Sequence, residues 1–577
     1  MRPRKLVSLF ALACFIGLTV LILRRNEQFD AVILTGHYAH EENEPLLPPH
    51  SLSHPIHQLI SNATSAFRTR QARQSRSLSD AVAEYRRRYE MPPPPHFDKW
   101  YEFARERGVE IIDEYDAIYH SLLPFWALEP AVIRERTREA LGFINNAMIG
   151  VYIRNGNIVN IQGGGNGAEW HREATKSMLD GFVQFLPNMD LAFNVHDEPR
   201  VVLQHDDLSH HVRVAKDVNM PIAYANRGLS NKWSPPAADL GDGIRIKEYR
   251  TSRFNRFAHQ STWSNSRMSC PPESPARDLL NDTAADNTTS FAIHALGFIH
   301  NTTAFSDICN SPSLRRSFGF FDRSNAFDIT HDLFPVFSQS KVSSFQDILY
   351  PSPWYWAGRV TYNDEEDVDW AAKFNKLYWR GSTTGGFSRN GGWRRHHRQQ
   401  FVQKANSLEP ATLLNHTTGG EDGEWVAVSV PHTAVRDFFD VKFTFVGQCD
   451  PGDCAAQREF FELAPHAEQS DAFRYKYLLD VDGNAFSGRY YSFLLSKSLV
   501  FKVALFREWH DEWLTPWVHY VPLSMKGAEY AEVVRYFDRE ASGKVQARKI
   551  ADRSRAWAKA VLRKEDMEVW YFRLLLE

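Results

Sequence analysis

The chain has 577 residues, more than one hydrophobic core usually serves, so two domains of similar size plus appendages are expected. Acidic and basic side chains nearly cancel, at a formal net charge of −3, which removes the global field that would draw the chain to nucleic acid or an acidic polymer. Aromatic residues make up 13%, with 16 tryptophans, a content that suits a large core and also stacking against sugar rings.

Residues 6–23 form an uncharged apolar run between Arg2, Arg4 and Lys5 on one side and Arg24 and Arg25 on the other, long enough to span a bilayer. A cleaved signal peptide is the alternative, but no small-x-small cleavage pattern follows, so a transmembrane signal anchor with a cytosolic tail at residues 1–5 is expected. The flanking charges are too even to orient it. Asn62, Asn281, Asn287, Asn301 and Asn415 each begin N-x-S/T, which favours a luminal body and a single-pass type II arrangement. Residues 24–80, rich in Pro, His, Ser and Gln, read as a flexible stem. The stretch "MPPPPHFDKWYEF" then stiffens as polyproline before a helix over "FDKWYEFARERG", and the folded body begins near residue 90.

Further on, "MIGVYIRNGNIVNIQ" has the pattern of a hairpin around Asn155-Gly156, followed by the loop "GGGNG" and a helix from about residue 168 to 185. The glycine cluster lacks the order and the lysine of a phosphate loop and reads as a flexible connection. In "MDLAFNVHDEPRVVL" an apolar strand ends in Asn194, His196, Asp197 and Glu198, where ligands meet the strands of an open parallel sheet. Adjacent acids on a strand face opposite ways, so one of Asp197 and Glu198 can point into a cleft.

Residues 207–315 are poor in regular signals and hold three of the sequons together with Cys270 and Cys309, as a glycosylated insertion would. Cys449 and Cys454 flank the turn "DPGD"; with Cys14 in the anchor, two disulfides are the simplest pairing, and the spacings do not suit zinc. Pro351 and Pro353 mark a boundary between domains at residues 90–350 and 351–543. Beyond it strands alternate with helices, the signature of an α/β layer, and residues 544–577 read as a long charged helix.

Two stretches run from a strand into a turn rich in glycine and hydroxyls and then into a helix. In "LYWRGSTTGG" these are Arg380, Gly381, Ser382 and Thr383; in "DVDGNAFSGRYY" they are Ser487, Gly488 and Arg489. Backbone amides at a helix start, with arginine as a bidentate partner, would hold a diphosphate. Asp480 and Asp482 in "DVD" are spaced to chelate a divalent ion, but the arginines already supply the positive charge. A turn-shaping role without bound metal or cofactor is expected.

The segments "KLYWRGSTTGG", "YKYLLDVDGNAFSGRYYSFLLSKSLVFK", "FREWHDEWLTPWVHYVPLSM" and "RKEDMEVWYFRLLLE" closely resemble the fungal branch of glycosyltransferase family 90, which includes capsule-associated xylosyltransferases and protein O-glucosyltransferases. "LPNMDLAFNVHDEPR" and "FSQSKVSSFQDILYPSPWYW" extend the resemblance over nearly all of residues 90–577. It implies a GT-B architecture, two Rossmann-like domains facing a cleft, and inverting transfer from a UDP-sugar to a glycan or glycoprotein hydroxyl. It also implies that Asp197 is the base and that Arg380, Ser382 and Arg489 engage the diphosphate. The "DEP" context differs from the "RDYP" of the glucosyltransferases, which leaves xylose and glucose both open as the sugar. The anchor suggests the Golgi, with the ER as the other possibility. Two other readings stay open: a glycoside hydrolase pairing Asp197 with Asp347, and a catalytically silent glycan-binding protein.

Overall fold

The computed structural model describes residues 53–577, apart from 227–230, 245–246, 257, 282 and 418–423. Two five-stranded sheets organise it. In the first, β1 (Met148–Arg154) and β2 (Asn157–Gly163) form the antiparallel hairpin, with Asn155 and Gly156 at φ 49° and 71° as a two-residue turn demands. β3 (Met189–Asn194) pairs antiparallel with β1, and β4 (Val336–Ser338) and β5 (Ile348–Leu349) continue parallel from β3. The second sheet contains β6 (Phe374–Ser382), β7 (Phe439–Phe445), β8 (Tyr475–Val481), β9 (Leu499–Val503) and β10 (Val521–Pro522), in the order β7-β6-β8-β9-β10 and parallel throughout.

The second sheet has the all-parallel order of a Rossmann-like unit, whereas the first is mixed. A two-residue turn can return the chain only antiparallel, while a parallel neighbour needs a crossover.

The helices correct the sequence reading at both ends. Within the expected stem, α1 (Pro55–Arg73) is docked on the second half, burying Ile56, Leu59 and Ile60 at an i, i+3, i+4 spacing. His54 stacks on Tyr536 with ring centroids 4.4 Å apart and sets Nε2 2.8 Å from the Glu532 carboxylate. α2 (Leu78–Tyr89) opens with a capping box of Ser77 and Asp80, and α3 (Phe97–Glu106) stands where the sequence predicts it. α4 (Glu169–Ser177) is shorter than the expected 168–185 because the chain turns after it to bury Met178, Leu179 and Phe182. α5 (His397–Ala405) and the six-residue α6 (Tyr490–Leu495) follow β6 and β8.

After α7 (Tyr530–Arg539), the expected terminal helix is two, α8 (Ala541–Val561) and α9 (Lys564–Leu576). Asp566 accepts the Arg563 amide at 2.8 Å and so begins a new helix. α9 returns to the first half, where Phe182 stacks on Phe572 and the Trp100 indole donates to the Val569 carbonyl at 3.0 Å. Helix α1 thus lies on the second half and α9 on the first.

The segment around residues 263–321 packs Trp263, Phe291, Phe305 and Phe318 into a cluster shared with Val202, Phe345 and Phe506 and is closed by the Cys270–Cys309 disulfide; Cys449 and Cys454 form the second. The apolar run at 6–23 lies outside the described residues. Among those described, no helix is long and apolar enough to cross a membrane.

Candidate active site

The carboxyl end of β3 and the carboxyl ends of β6 and β8 face each other. On the first side, buried Asn194 braces the turn that follows β3: its Nδ2 donates to the Glu198 carbonyl and to Ser338 Oγ, and its Oδ1 accepts from the His196 amide and from Arg200 Nε at 2.6 Å. Asp197 is solvent-exposed, yet protein closes round it from most directions, so it lies in a cleft rather than on an open face. That enclosure raises its pKa, and the polar side chain of Asn484, on the opposite half, offsets the rise. Glu198 points the other way, buried, and accepts the Ala326 amide at 2.9 Å. Burial and the neighbouring Asp197 push its pKa up to about 8, which leaves it protonated and unsuited to removing a proton at neutral pH.

On the second side, Arg489 is heavily enclosed, its Nη1 donating to the Arg380 carbonyl at 2.6 Å and its charge attracted by Asp480. Arg380 itself pairs with Asp440 at 2.6 Å and lies over the Tyr378 ring at 4.7 Å. Its guanidinium lines a cavity of about 220 Å³ with Phe374, Tyr378, Arg474 and Tyr475, where Tyr378 and Tyr475 stack at 4.3 Å. Gly381 has no room for a side chain, since a Cβ would meet the Trp379 indole at 2.5 Å, and Ser382 Oγ donates to Thr384 Oγ1 at 3.2 Å.

Three predicted residues are placed differently from the sequence reading. Thr383 exchanges hydrogen bonds with the backbone of Gly447 and is buried away from the cleft. Ser487 makes no helix cap; its carbonyl accepts from Tyr355 Oη at 3.1 Å, and Arg489 takes the N-cap position of α6. Gly488 packs on Trp354, where a Cβ would come within 2.4 Å of the indole nitrogen. With six residues, α6 has too small a dipole for its start to bind an anion alone, so the positive charge here comes from arginines.

One of those arginines escapes the sequence reading. Arg398, at the start of α5, is buried and donates to the carbonyls of Asp482, Val481 and Ser382 and to Thr384 Oγ1, at 2.6 to 3.2 Å. No carboxylate forms a salt bridge with it among the described residues. Burial, and then the like charge of Arg489, pull its pKa down to about 9, so it stays cationic at neutral pH. Its signal in the sequence is a charge in phase with buried Phe401, Val402 and Ala405 on one helix face.

One oxygen of each "DVD" carboxylate is engaged within the protein, and Oδ1 of each is buried without a hydrogen-bond partner. Asp480 is ion-paired with Lys502 at 3.0 Å, and Asp482 Oδ2 accepts the amides of Leu505 and Phe506 at 2.7 and 3.1 Å. Asp347, the second acid of the hydrolase reading, is fully buried and accepts from the amides of Arg200 and Val201 and from Ser338 Oγ. It cannot flank a glycosidic bond from there.

Residues 321–577 match the family model described as Glycosyl transferase family 90. The chain is 27% identical over 262 residues to an O-glucosyltransferase rumi homolog of Aedes aegypti, covering 42% of this chain and 54% of the relative. It is 28% identical over 256 residues to O-glucosyltransferase rumi of Drosophila melanogaster, covering 42% and 53%. Against Protein O-glucosyltransferase 1 of Homo sapiens the figures are 26% over 269 residues, 42% and 56%. The chain therefore spans about half the length of the curated relatives it matches. The family match contains Arg380, Arg398, Asn484 and Arg489, whereas Asp197 lies before it.

Proposed function

We propose that this chain, whose residues 321–577 carry a glycosyltransferase family 90 domain, is an inverting glycosyltransferase of GT-B type that moves a sugar from a UDP-sugar to a hydroxyl of a glycan or glycoprotein. The observation that carries the reading is the pairing across one cleft of an accessible carboxylate, Asp197, with two enclosed arginines, Arg398 and Arg489. Asp197 takes the acceptor hydroxyl proton as that oxygen attacks the anomeric carbon. The bond from the anomeric carbon to the phosphate oxygen breaks, its electron pair leaves on UDP, and the arginines stabilise the charge gathering there. The aromatic cavity beside Arg380 takes the nucleobase, with Tyr378 and Tyr475 as its stacking wall. Glucose is supported as the sugar by the names of the relatives, and xylose by the "DEP" context of Asp197. The two disulfides support an oxidising compartment, Golgi or ER, with residues 6–23 as the membrane anchor.

Asp480 and Asp482 each commit Oδ2 within the protein, to Lys502 and to the Leu505 and Phe506 amides, which favours binding of the diphosphate without a metal bridge. UDP should raise the melting temperature of the protein equally in buffer and after exhaustive EDTA treatment, because a ligand that binds the folded state stabilises it by mass action. A shift that vanishes with EDTA and returns with Mn²⁺ or Mg²⁺ would make "DVD" a metal site. No shift at all would remove UDP as the ligand.

A further inference from the structure

The glycine loop after β2 has no part in the site described so far, yet the aromatic residue that follows it links the two sides of the cleft. The Gly164 amide donates to the Met148 carbonyl at 2.7 Å and the Val195 amide to the adjacent Ala147 carbonyl at 3.1 Å, which sets the loop beside the turn that carries Asp197. A Cβ on Gly164 would meet Val195 Cγ1 at 3.3 Å and Ala168 Cβ at 2.8 Å, so the start of α4 packs there too. Half-buried Trp170, in the first turn of α4, meets Trp354 edge to face, with ring centroids 6.2 Å apart and planes at 82°. Trp354 donates its indole N–H to the Gly488 carbonyl at 3.1 Å, next to Arg489. The pair therefore runs from the Asp197 side to the Arg489 side. Arg359 joins it: the guanidinium carbon stands 4.9 Å from the Trp170 ring centroid and 5.6 Å from that of Trp354. Arg359 is exposed, and among the described residues no carboxylate pairs with it. Trp170 is braced by stacking on His171, whose Nε2 lies 2.9 Å from Tyr350 Oη, while its own indole N–H has no partner among the described residues.

We propose that Trp170, Trp354 and Arg359 form the platform that holds a pyranose ring of the acceptor glycan. The proposal rests on the transferase reading, which needs the acceptor hydroxyl between Asp197 and the donor phosphates. A pyranose presents C–H groups that stack on the electron-rich face of an indole and hydroxyls that accept from N–H groups, and here the Arg359 fork and the Trp170 N–H are both unclaimed. Openness assigns the ring to the acceptor. Arg359 is exposed, and a Cβ on Gly165 or Gly167 would meet nothing within 4 Å, so a glycan has room to continue past this ring. The groups assigned to the donor, Arg398 and Arg489, are enclosed instead.

Methyl pyranosides of glucose, galactose, mannose and xylose, at millimolar concentration with and without UDP, test this by saturation-transfer NMR and by titration of tryptophan fluorescence. At least one should receive saturation on its ring protons from the wild type, and Trp170→Ala should weaken that binding about 10-fold, the worth of an aromatic contact. Arg359→Ala should weaken it about 3- to 10-fold, less than a buried charged hydrogen bond because solvent screens the group. Arg359 is exposed, so this variant keeps the test open if Trp170→Ala does not fold. Affinities for UDP and for UDP-glucose should be unchanged in both variants.

No binding of any pyranoside by the wild type, or equal binding by the wild type and Arg359→Ala, would overturn the proposal. A loss of UDP-glucose affinity with UDP unaffected would also overturn it, by assigning the platform to the donor sugar. Pyranoside binding that depends on Trp170 and Arg359, in a protein that binds no UDP, would leave the platform standing and reject the transferase reading alone.

Discussion

Replacing Asp197 by asparagine is expected to lower transfer by about 100- to 10,000-fold, the usual worth of a positioned general base, while UDP still binds. The amide keeps the shape of the carboxylate but cannot take the acceptor proton. The neighbouring acid offers no substitute: Glu198 is buried, turned toward the Ala326 amide and held protonated to about pH 8. Loss of turnover with unchanged nucleotide affinity, read by calorimetry, would place the defect in proton removal. Near-normal turnover would reject Asp197 as the base.

The second large effect is expected at Arg489. Arg489→Ala should weaken UDP binding by roughly 10- to 100-fold, the equivalent of one charge-assisted hydrogen bond, with a matching fall in transfer. The guanidinium does two things here: it offers charge at the cleft, and through Nη1 it holds the Arg380 carbonyl at the end of β6. Lysine should restore only part of the affinity, since an ammonium lacks the planar fork that can serve both partners. Arg398 is the less clean target. Its removal would break the four hydrogen bonds that tie the ends of β6 and β8 together, so stability and binding would fall together. Unchanged nucleotide affinity in Arg489→Ala would exclude it from the diphosphate site.

Much of the second sheet was legible because its longer strands are short runs rich in aromatic and aliphatic residues closed by glycine or polar residues, as in "KLYWRG" and "YKYLLDVDG". The ends of the chain were less so. Ile56, Leu59 and Ile60 make a narrow stripe among polar residues, and what covers it, including Leu414 and Tyr536, is hundreds of positions away. The break between α8 and α9 depends on one carboxylate, Asp566, folding back to the Arg563 amide, within a stretch whose composition suits a single helix.

The site divides in the same way. Asp197 and Glu198 were expected to face opposite directions by strand alternation; both lie in the turn beyond β3, where Asp197 is exposed and Glu198 buried. Thr383 was grouped with the donor because its hydroxyl sits in a glycine-rich turn, yet the Gly447 backbone takes up that hydroxyl. Hydroxyl side chains bond readily to nearby backbone, and sequence spacing does not say which neighbour a turn will meet.

The most direct test of the transferase account is release of UDP by the purified wild-type protein on incubation with UDP-glucose, UDP-xylose and UDP-galactose in separate reactions, with and without a glycan or glycoprotein acceptor. The account predicts UDP from one of these donors, formed slowly by hydrolysis alone and faster with a competent acceptor, one UDP per sugar transferred and with the anomeric configuration inverted. Absence of UDP from all of them, or transfer with the configuration retained, would contradict it.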